Sequence, residues 1–418
     1  MRTHKLIAAV VAAGLLSALV VATPADAAAS KLGYKHLTAV EVAGGKIKVS
    51  WRKTTNVKKF TVKTAGNYEM TTDVKSYKVS KKKVSVLVTP SRFSRAGTGN
   101  YTFIRLYALK STGVTVQSKS AIVRMRAVAP DPAGAQQTIA SFNVRTQKAD
   151  SSGHPWSSRV GAIASQIQQS AASVVSVQEA GEILADNGYT AKAVHHDFYW
   201  QFQDLRDKTN AAGSTHYALV DDQEYSPHGA AGREGTRILY DTAKLTVLGH
   251  GSFAPSAIDS NLRFVPWALF QDKTTGKQFY FIAVHLDDRA DKGKSRTYYD
   301  LRTKQTAKII DVATGFAAKG LQVMVVGDFN SNIYSKPNNG ADRQMISAHF
   351  FDGYATAHNV NEYWDTYNGF IKPVKKYSRV DYFFTIGGPK GSYSYKNWLI
   401  RSGTFPSDHD MQTAVLPY

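Results

Sequence analysis

Between residues 31 and 127 apolar and polar positions alternate with a period of two. Ile47-Lys48-Val49-Ser50-Trp51 and Phe60-Thr61-Val62 carry the pattern, and Val84 to Val88 and Tyr101 to Ala108 continue it. Such alternation turns successive side chains to opposite faces of a strand. Gly44-Gly45 and Gly97-Thr98-Gly99-Asn100 supply turn residues between the runs. Helical spacing is absent, so the segment predicts a small all-β sandwich. Arg126 to Gln137 is rich in Pro and Ala, has no period and reads as a linker.

Beyond it the pattern changes. Thr138 to Val144 is strand-like, and Trp156, Val160, Ile163 and Ile167 then fall at helical spacing. Val174 to Gln178 predicts a second strand. Phe279 to Leu286, a helix over about 297–318, and the apolar strand Val323 to Val326 follow. Strands around 379–385 and 411–416 finish the chain. Strands mixed with helices in this way predict an α/β domain whose helices cover sheets.

The first residues have a different character. Arg2, His4 and Lys5 precede an apolar run from Leu6 to Ala22, and Ala25-Asp26-Ala27 offers small residues for cleavage. This predicts a signal peptide over 1–27 and a secreted product; an uncleaved anchor is the alternative. The expected organisation is therefore a signal peptide (1–27), a β-sandwich (28–127), a linker (128–137) and an α/β domain (138–418).

Composition narrows the chemistry. The 418 residues include no cysteine, which excludes thiolate catalysis and Cys-ligated metal. The net charge of +20 is uneven. Residues 28–130 carry 21 Lys and Arg against 3 Asp and Glu, whereas residues 131–418 carry 29 against 28. A basic segment of that kind suits a polyanionic partner: nucleic acid, an anionic cell-wall polymer or lipid head groups.

Polar residues end five apolar strands of the α/β segment. They are Asn143 in "ASFNVR", Gln178 and Glu179 in "VVSVQEA", and His285 in "FIAVHLD". Asp328 and Asn330 follow in "VMVVGDFNS", then Ser407, Asp408 and His409 in "FPSDHD". Each alone is also what an ordinary solvated strand end or turn carries. Together they form an oxygen-rich set, Glu179, Asp408 and Asn143, suited to Mg²⁺ (or Mn²⁺) rather than zinc. Two histidines beside carboxylates can supply base and electrostatic functions.

In order and content, "SFNVR", "VVSVQEA", "GTRILYD", "VHLD", "VVGDFNS", "DTYNGF", "SRVDYFF" and "SDHD" resemble the endonuclease/exonuclease/phosphatase superfamily. The preceding segment, with "KIKVSW", "FTV" and "GNYTFIRLYAL", resembles a fibronectin type III domain. The first resemblance implies a four-layer α/β sandwich with two central β-sheets and a site at one sheet edge. It further implies that Glu179 binds metal, supported by Asn143 and Asp408, and that His409 acts as base, oriented by Asp381. Asp328 would position the nucleophile or assist the leaving oxygen. Asn330 and His285 would bond the scissile phosphate, and Arg237 is a candidate phosphate contact. The implied activity is a Mg²⁺-dependent phosphodiesterase, most simply a monomeric extracellular nuclease. A sphingomyelinase- or phospholipase C-like enzyme, an inositol-phosphate phosphatase, and an inactive binding scaffold are the competing readings.

Overall fold

The computed structural model describes residues 37–42, 46–66, 70–90, 101–117, 122–125, 134–147, 153–181, 200–221, 235–332, 335, 340–354, 356, 358–362, 364–371, 373, 378–401 and 403–418. The expected signal peptide and residues 126–133 of the expected linker lie outside them. Tyr34–Tyr418 forms one compact unit.

The first eight strands are β1 (Thr38–Val42), β2 (Lys46–Ser50), β3 (Val57–Ala65), β4 (Lys75–Ser80), β5 (Ser85–Val88), β6 (Tyr101–Lys110), β7 (Thr115–Gln117) and β8 (Ile122–Met125). They make two antiparallel sheets, β1-β2-β5 and β4-β3-β6-β7, with β8 also paired to β6. The period-two apolar positions, among them Val49, Trp51, Phe60, Val62, Val79 and Leu106, meet in one buried cluster. β2, β3, β5 and β6 fall on the predicted alternating runs, whereas β1, β4, β7 and β8 carried no such reading.

The remaining elements begin with β9 (Gln136–Asn143), α1 (Trp156–Ser170), β10 (Val174–Gln178), α2 (Gln201–Ala211), β11 (Tyr217–Leu219) and β12 (Arg237–Asp241). Then come β13 (Leu245–Phe253), β14 (Val265–Asp272), β15 (Gln278–His285), α3 (Thr297–Ala317), β16 (Gln322–Asp328) and α4 (Gly340–Ser347). Short strands β17 (Phe351–Asp352) and β18 (Asn359–Val360), then β19 (Asp381–Ile386), β20 (Ser394–Asn397) and β21 (Gln412–Pro417), complete the order. One sheet runs β11-β12-β10-β9-β21-β20-β18 and the other β13-β14-β15-β16-β19-β17. Gln136 and Gln137, expected in the linker, already belong to β9, where Gln137 Nε2 donates to buried Asp272.

Three apolar clusters account for the layers. Ile139, Val174, Phe281, Ala283, Met324 and Val326 fill the space between the sheets. Trp156, Ile163 and Ile167 of α1, with Phe202 and Leu205 of α2, cover the outer face of the first sheet. Ile309 and Ala313 of α3 and Met345 of α4 cover the second. Strands buried on both faces need continuous apolar runs, which explains Val323 to Val326.

Two parallel pairs set up the functional edge. In β9 and β10 the register places Asn143 beside Gln178, and in β15 and β16 it places His285 beside Asp328. Antiparallel β19 brings Asp381 opposite Asp328. Gly327 makes that register possible: its φ is +148°, and a Cβ there would lie 2.0 Å from the Val284 carbonyl oxygen.

Phe103 joins the sandwich to this assembly. It lies on β6, is 1 % exposed, and is buried in the same cluster as Val265, Tyr280 and Ile282 of the second sheet. Phe103→Ala should therefore destabilise the whole unit by about 3–5 kcal/mol. Urea unfolding should keep one transition at lower midpoint; an unshifted transition for the α/β segment would contradict this.

Candidate active site

The strand ends meet at one place. Asn143 Nδ2 donates to Glu179 Oε1 at 2.9 Å and to Asp328 Oδ2 at 3.2 Å, so one amide spans both sheets. Glu179 follows β10 with φ +63°, Arg145 follows β9 with φ +60°, and Asn330 follows β16 with φ +46°. Left-handed backbone costs a non-glycine residue about 1–3 kcal/mol, and local bonds must hold it. Glu179 Oε2 accepts from the Thr146 backbone N–H at 3.2 Å and from Arg145 Nη1 at 3.4 Å. Gly235, φ +70°, packs so closely below that a Cβ would lie 2.1 Å from the Gly181 nitrogen. The Asn330 N–H donates to Asp328 Oδ1 at 2.8 Å, and its Nδ2 donates to the Leu286 carbonyl at 3.0 Å.

The loops are tied by buried Arg159 of α1. Its guanidinium donates to the carbonyls of Val144, Arg145, His154 and Pro406 at 2.7–3.2 Å. The segment 144–145 is thereby fixed against the segment that leads into His409. Ser407 Oγ adds a 2.6 Å bond to the Asn143 carbonyl.

His409 stands between two carboxylates. Its Nδ1 lies 3.2 Å from Asp381 Oδ2, and its Nε2 lies 3.6 Å from Asp328 Oδ2. Burial pushes the imidazole down, but Asp381 and Asp328 outweigh it and raise its pKa to about 10. Asp328 is fully buried, and burial together with the Asp381 charge raises its pKa in turn. As arranged, the imidazole is positively charged at neutral pH. To act as the base that the resemblance implies, it must share its proton with the Asp328 carboxylate it faces.

Glu179 is different. Burial raises its pKa, but the His285 imidazole, the Asn143 amide, Arg145 and His409 together hold it at about 2. Asp408 lies across from it, with Arg145 Nε 3.6 Å from Asp408 Oδ2. Burial raises Asp408, and the ionised Glu179 adds to this against the attraction of His409 and Arg145. The Arg145 guanidinium thus bridges the two carboxylates expected to bind metal. One positive group already satisfies both, so the pair is placed to share a cation. Oxygen donors with one accessible carboxylate fit Mg²⁺ or Mn²⁺. Ligand atoms of Asp328, Asp381 and His409 also lie within 4.8 Å of one another. Both ring nitrogens of His409 face carboxylate oxygens.

His285, 1 % exposed, points Nε2 toward Glu179 Oε1 at 4.0 Å and Asp328 Oδ2 at 3.9 Å. Its Nδ1 lies 3.1 Å from Arg263 Nη1. A guanidinium only donates, so in the neutral ring Nδ1 accepts and the hydrogen sits on Nε2, facing the site. Arg263, anchored at 2.8 Å to Asp288 Oδ1, had no signal in the sequence, because the contact joins a loop to a distant strand.

Arg145 and Tyr367 were also missed, although both lie within recognised segments, "SFNVR" and "DTYNGF". Tyr367 is 52 % exposed, and its ring meets His409 edge-on at 5.1 Å. The backbone N–H groups of Asn368 and Gly369 hold this loop on the Asp408 carbonyl. Arg237 departs from its expected role. It is 1 % exposed, donates to the Thr236 carbonyl, and lies with its guanidinium carbon 4.2 Å from the Phe202 ring centre. Flush against α2, it packs the core rather than presenting an open phosphate contact. Every other expected residue, Asn143, Glu179, His285, Asp328, Asn330, Asp381, Asp408 and His409, lies at this edge.

No protein-family model and no curated protein matches the sequence. Solved structures do. An endonuclease/exonuclease/phosphatase family protein from Bacteroides thetaiotaomicron is 20% identical, with 68% of this chain and 98% of that chain covered and a TM-score of 0.51. A mannosyl-6-phosphatase from the same organism is 19% identical over 67% of this chain and 99% of that one, TM-score 0.51. An endonuclease/exonuclease/phosphatase from Bacteroides vulgatus is 21% identical over 67% and 98%, TM-score 0.51. At such identities the likeness establishes the shared fold.

The charge on His409 has a measurable consequence. Its folded pKa of about 10 exceeds the ordinary 6.5, so between these values the folded chain holds a proton that the unfolded chain has lost. That stabilisation is complete below about pH 6.5 and disappears as pH rises through about 10. From about pH 7 to 10, the unfolding free energy should fall more steeply for the native chain than for His409→Asn. Parallel slopes in denaturant titrations would refute the assignment.

Proposed function

We propose that the chain is an exported, divalent-metal-dependent phosphodiesterase whose substrate is nucleic acid. The observation that carries the reading is the single edge where Asn143 joins Glu179 to Asp328 while His409 is held between Asp328 and Asp381. The shared fold with endonuclease/exonuclease/phosphatase proteins supports it. Export rests on the charged start, apolar run and Ala25-Asp26-Ala27 of the N-terminus.

Glu179, Asn143 and Asp408 would hold the metal, which supplies positive charge against the phosphate oxygens. The protein's own groups do the rest. Nε2–H of His285, which faces Glu179 and Asp328, would donate to a non-bridging phosphate oxygen, and Arg263 would keep that hydrogen there. The Asp328–His409 pair, steadied by Asp381, moves the proton: it can take one from water or give one to the departing oxygen. Tyr367 offers an exposed ring beside the reacting groups for a flat part of the substrate. Little covalent chemistry is asked of the protein; placement and preset charge lower the barrier.

Assays with Mg²⁺ against DNA, RNA, sphingomyelin, an inositol phosphate and mannose 6-phosphate test the substrate class. Cleavage of nucleic acid is expected, and exclusive turnover of any of the others would overturn the nuclease reading. His409→Ala and Asp328→Asn should each slow hydrolysis about 10²- to 10⁴-fold. Glu179→Gln should lose activity at limiting Mg²⁺, and full activity there would remove the metal assignment. Arg263→Met should lower kcat more than KM, because it frees the His285 tautomer without touching substrate.

A further inference from the structure

The sheet β4-β3-β6-β7 turns one face into the sandwich core and the other outward. Register aligns Ser76, Lys63 and Arg105 in one cross-strand row, and Lys78, Thr61, Tyr107 and Gln117 in the next. A third row holds Ser80, Lys59, Leu109 and Thr115. The alternate residues, Phe60, Val62, Val79, Leu106 and Ala108, fill the core, so these rows face outward. Lys59 and Lys78 are exposed and Lys63 partly so, and none of the three pairs with a carboxylate of a described residue. Lys63 Nζ sits 5.0 Å from the centre of the Tyr107 ring, and across the ladder Lys63 faces Arg105.

One step further along the same face, Ala65 pairs with Phe103, the residue buried against the second catalytic sheet. Alternate residues on a strand are about 6.5 Å apart, so the basic rows begin beside the docked end. We propose that this face is a second, non-catalytic binding site for single-stranded nucleic acid. Lys59, Lys63 and Lys78 take phosphates, and Tyr107 stacks on a base. Single strands fit the face because they expose bases to an aromatic platform, which a duplex does not. An anionic wall polymer would use the lysines but gain nothing from the ring. The assignment rests on the nucleic-acid reading of the active site and adds a means of retaining long substrate.

The test uses the full chain, with chelator to prevent cleavage, and a fluorescent single-stranded oligonucleotide titrated at several salt concentrations. Lys59→Glu/Lys63→Glu/Lys78→Glu should weaken binding at low salt at least tenfold and flatten the plot of log affinity against log salt by about 2. Tyr107→Ala should weaken binding about fivefold or more with the slope unchanged. Both variants should turn over a dinucleotide like the native protein. If the triple variant does not fold, the corresponding glutamines replace it, with the same direction expected. Unchanged slope and affinity in the lysine variants would overturn the proposal. So would a Tyr107→Ala that binds normally while purified wall polymer depends on the lysines. A dinucleotide left uncut by the native protein refutes the active-site reading instead, whatever the binding data give.

Discussion

Two carboxylates lie directly across from one another on neighbouring strands, and neither meets solvent: Asp328 of β16 and Asp381 of β19. Such a pair cannot remain doubly charged without a cation, and removing that cation would leave buried charge uncompensated. His409 is the cation. Its segment must reach the edge of the other sheet, which fixes how the sheets stack. Arg159, Ser407 and the loop from Tyr367 to Gly369 keep the imidazole where the carboxylates need it.

The same edge collects backbone that is costly on its own. Arg145, Glu179 and Asn330 all take left-handed conformations, and each is bonded to a partner the fold supplies. The cores on either side of each sheet offset that cost. Functional groups therefore sit on rigid strand ends rather than on mobile loops, which suits a site whose output depends on fixed charge.

Much of this could be read from the chain. Val323 to Val326, buried on both faces, has no other sensible conformation than a central strand, and Trp156 to Ile167 has helical spacing throughout. The polar residues that end these runs were legible for the same reason. Elements with mixed signals were not. In α2, apolar Phe202 and Leu205 stand among polar residues, so its stripe is too thin to see. In β13, exposed Leu248 and two glycines break the alternation. Arg237 has a motif position that suggests chemistry, but its neighbour across α2 decides its role. Arg263 shows the converse: its importance comes from a contact between residues 22 positions apart, and no local pattern encodes it.

The position of β21 has a consequence for how the molecule comes into being. The strand lies between β9 and β20, well inside the first sheet, and its lead-in carries Asp408 and His409. Every other strand of that sheet leaves the ribosome earlier and must wait with a gap at its centre. Until the strand arrives, Asp328 and Asp381 lack their counter-charge, and the sheets lack a shared layer of side chains that includes Ala414 and Leu416. Vectorial synthesis thus delivers His409 and the closing piece of the core in one step. Until that strand is in place a nascent chain has no assembled site.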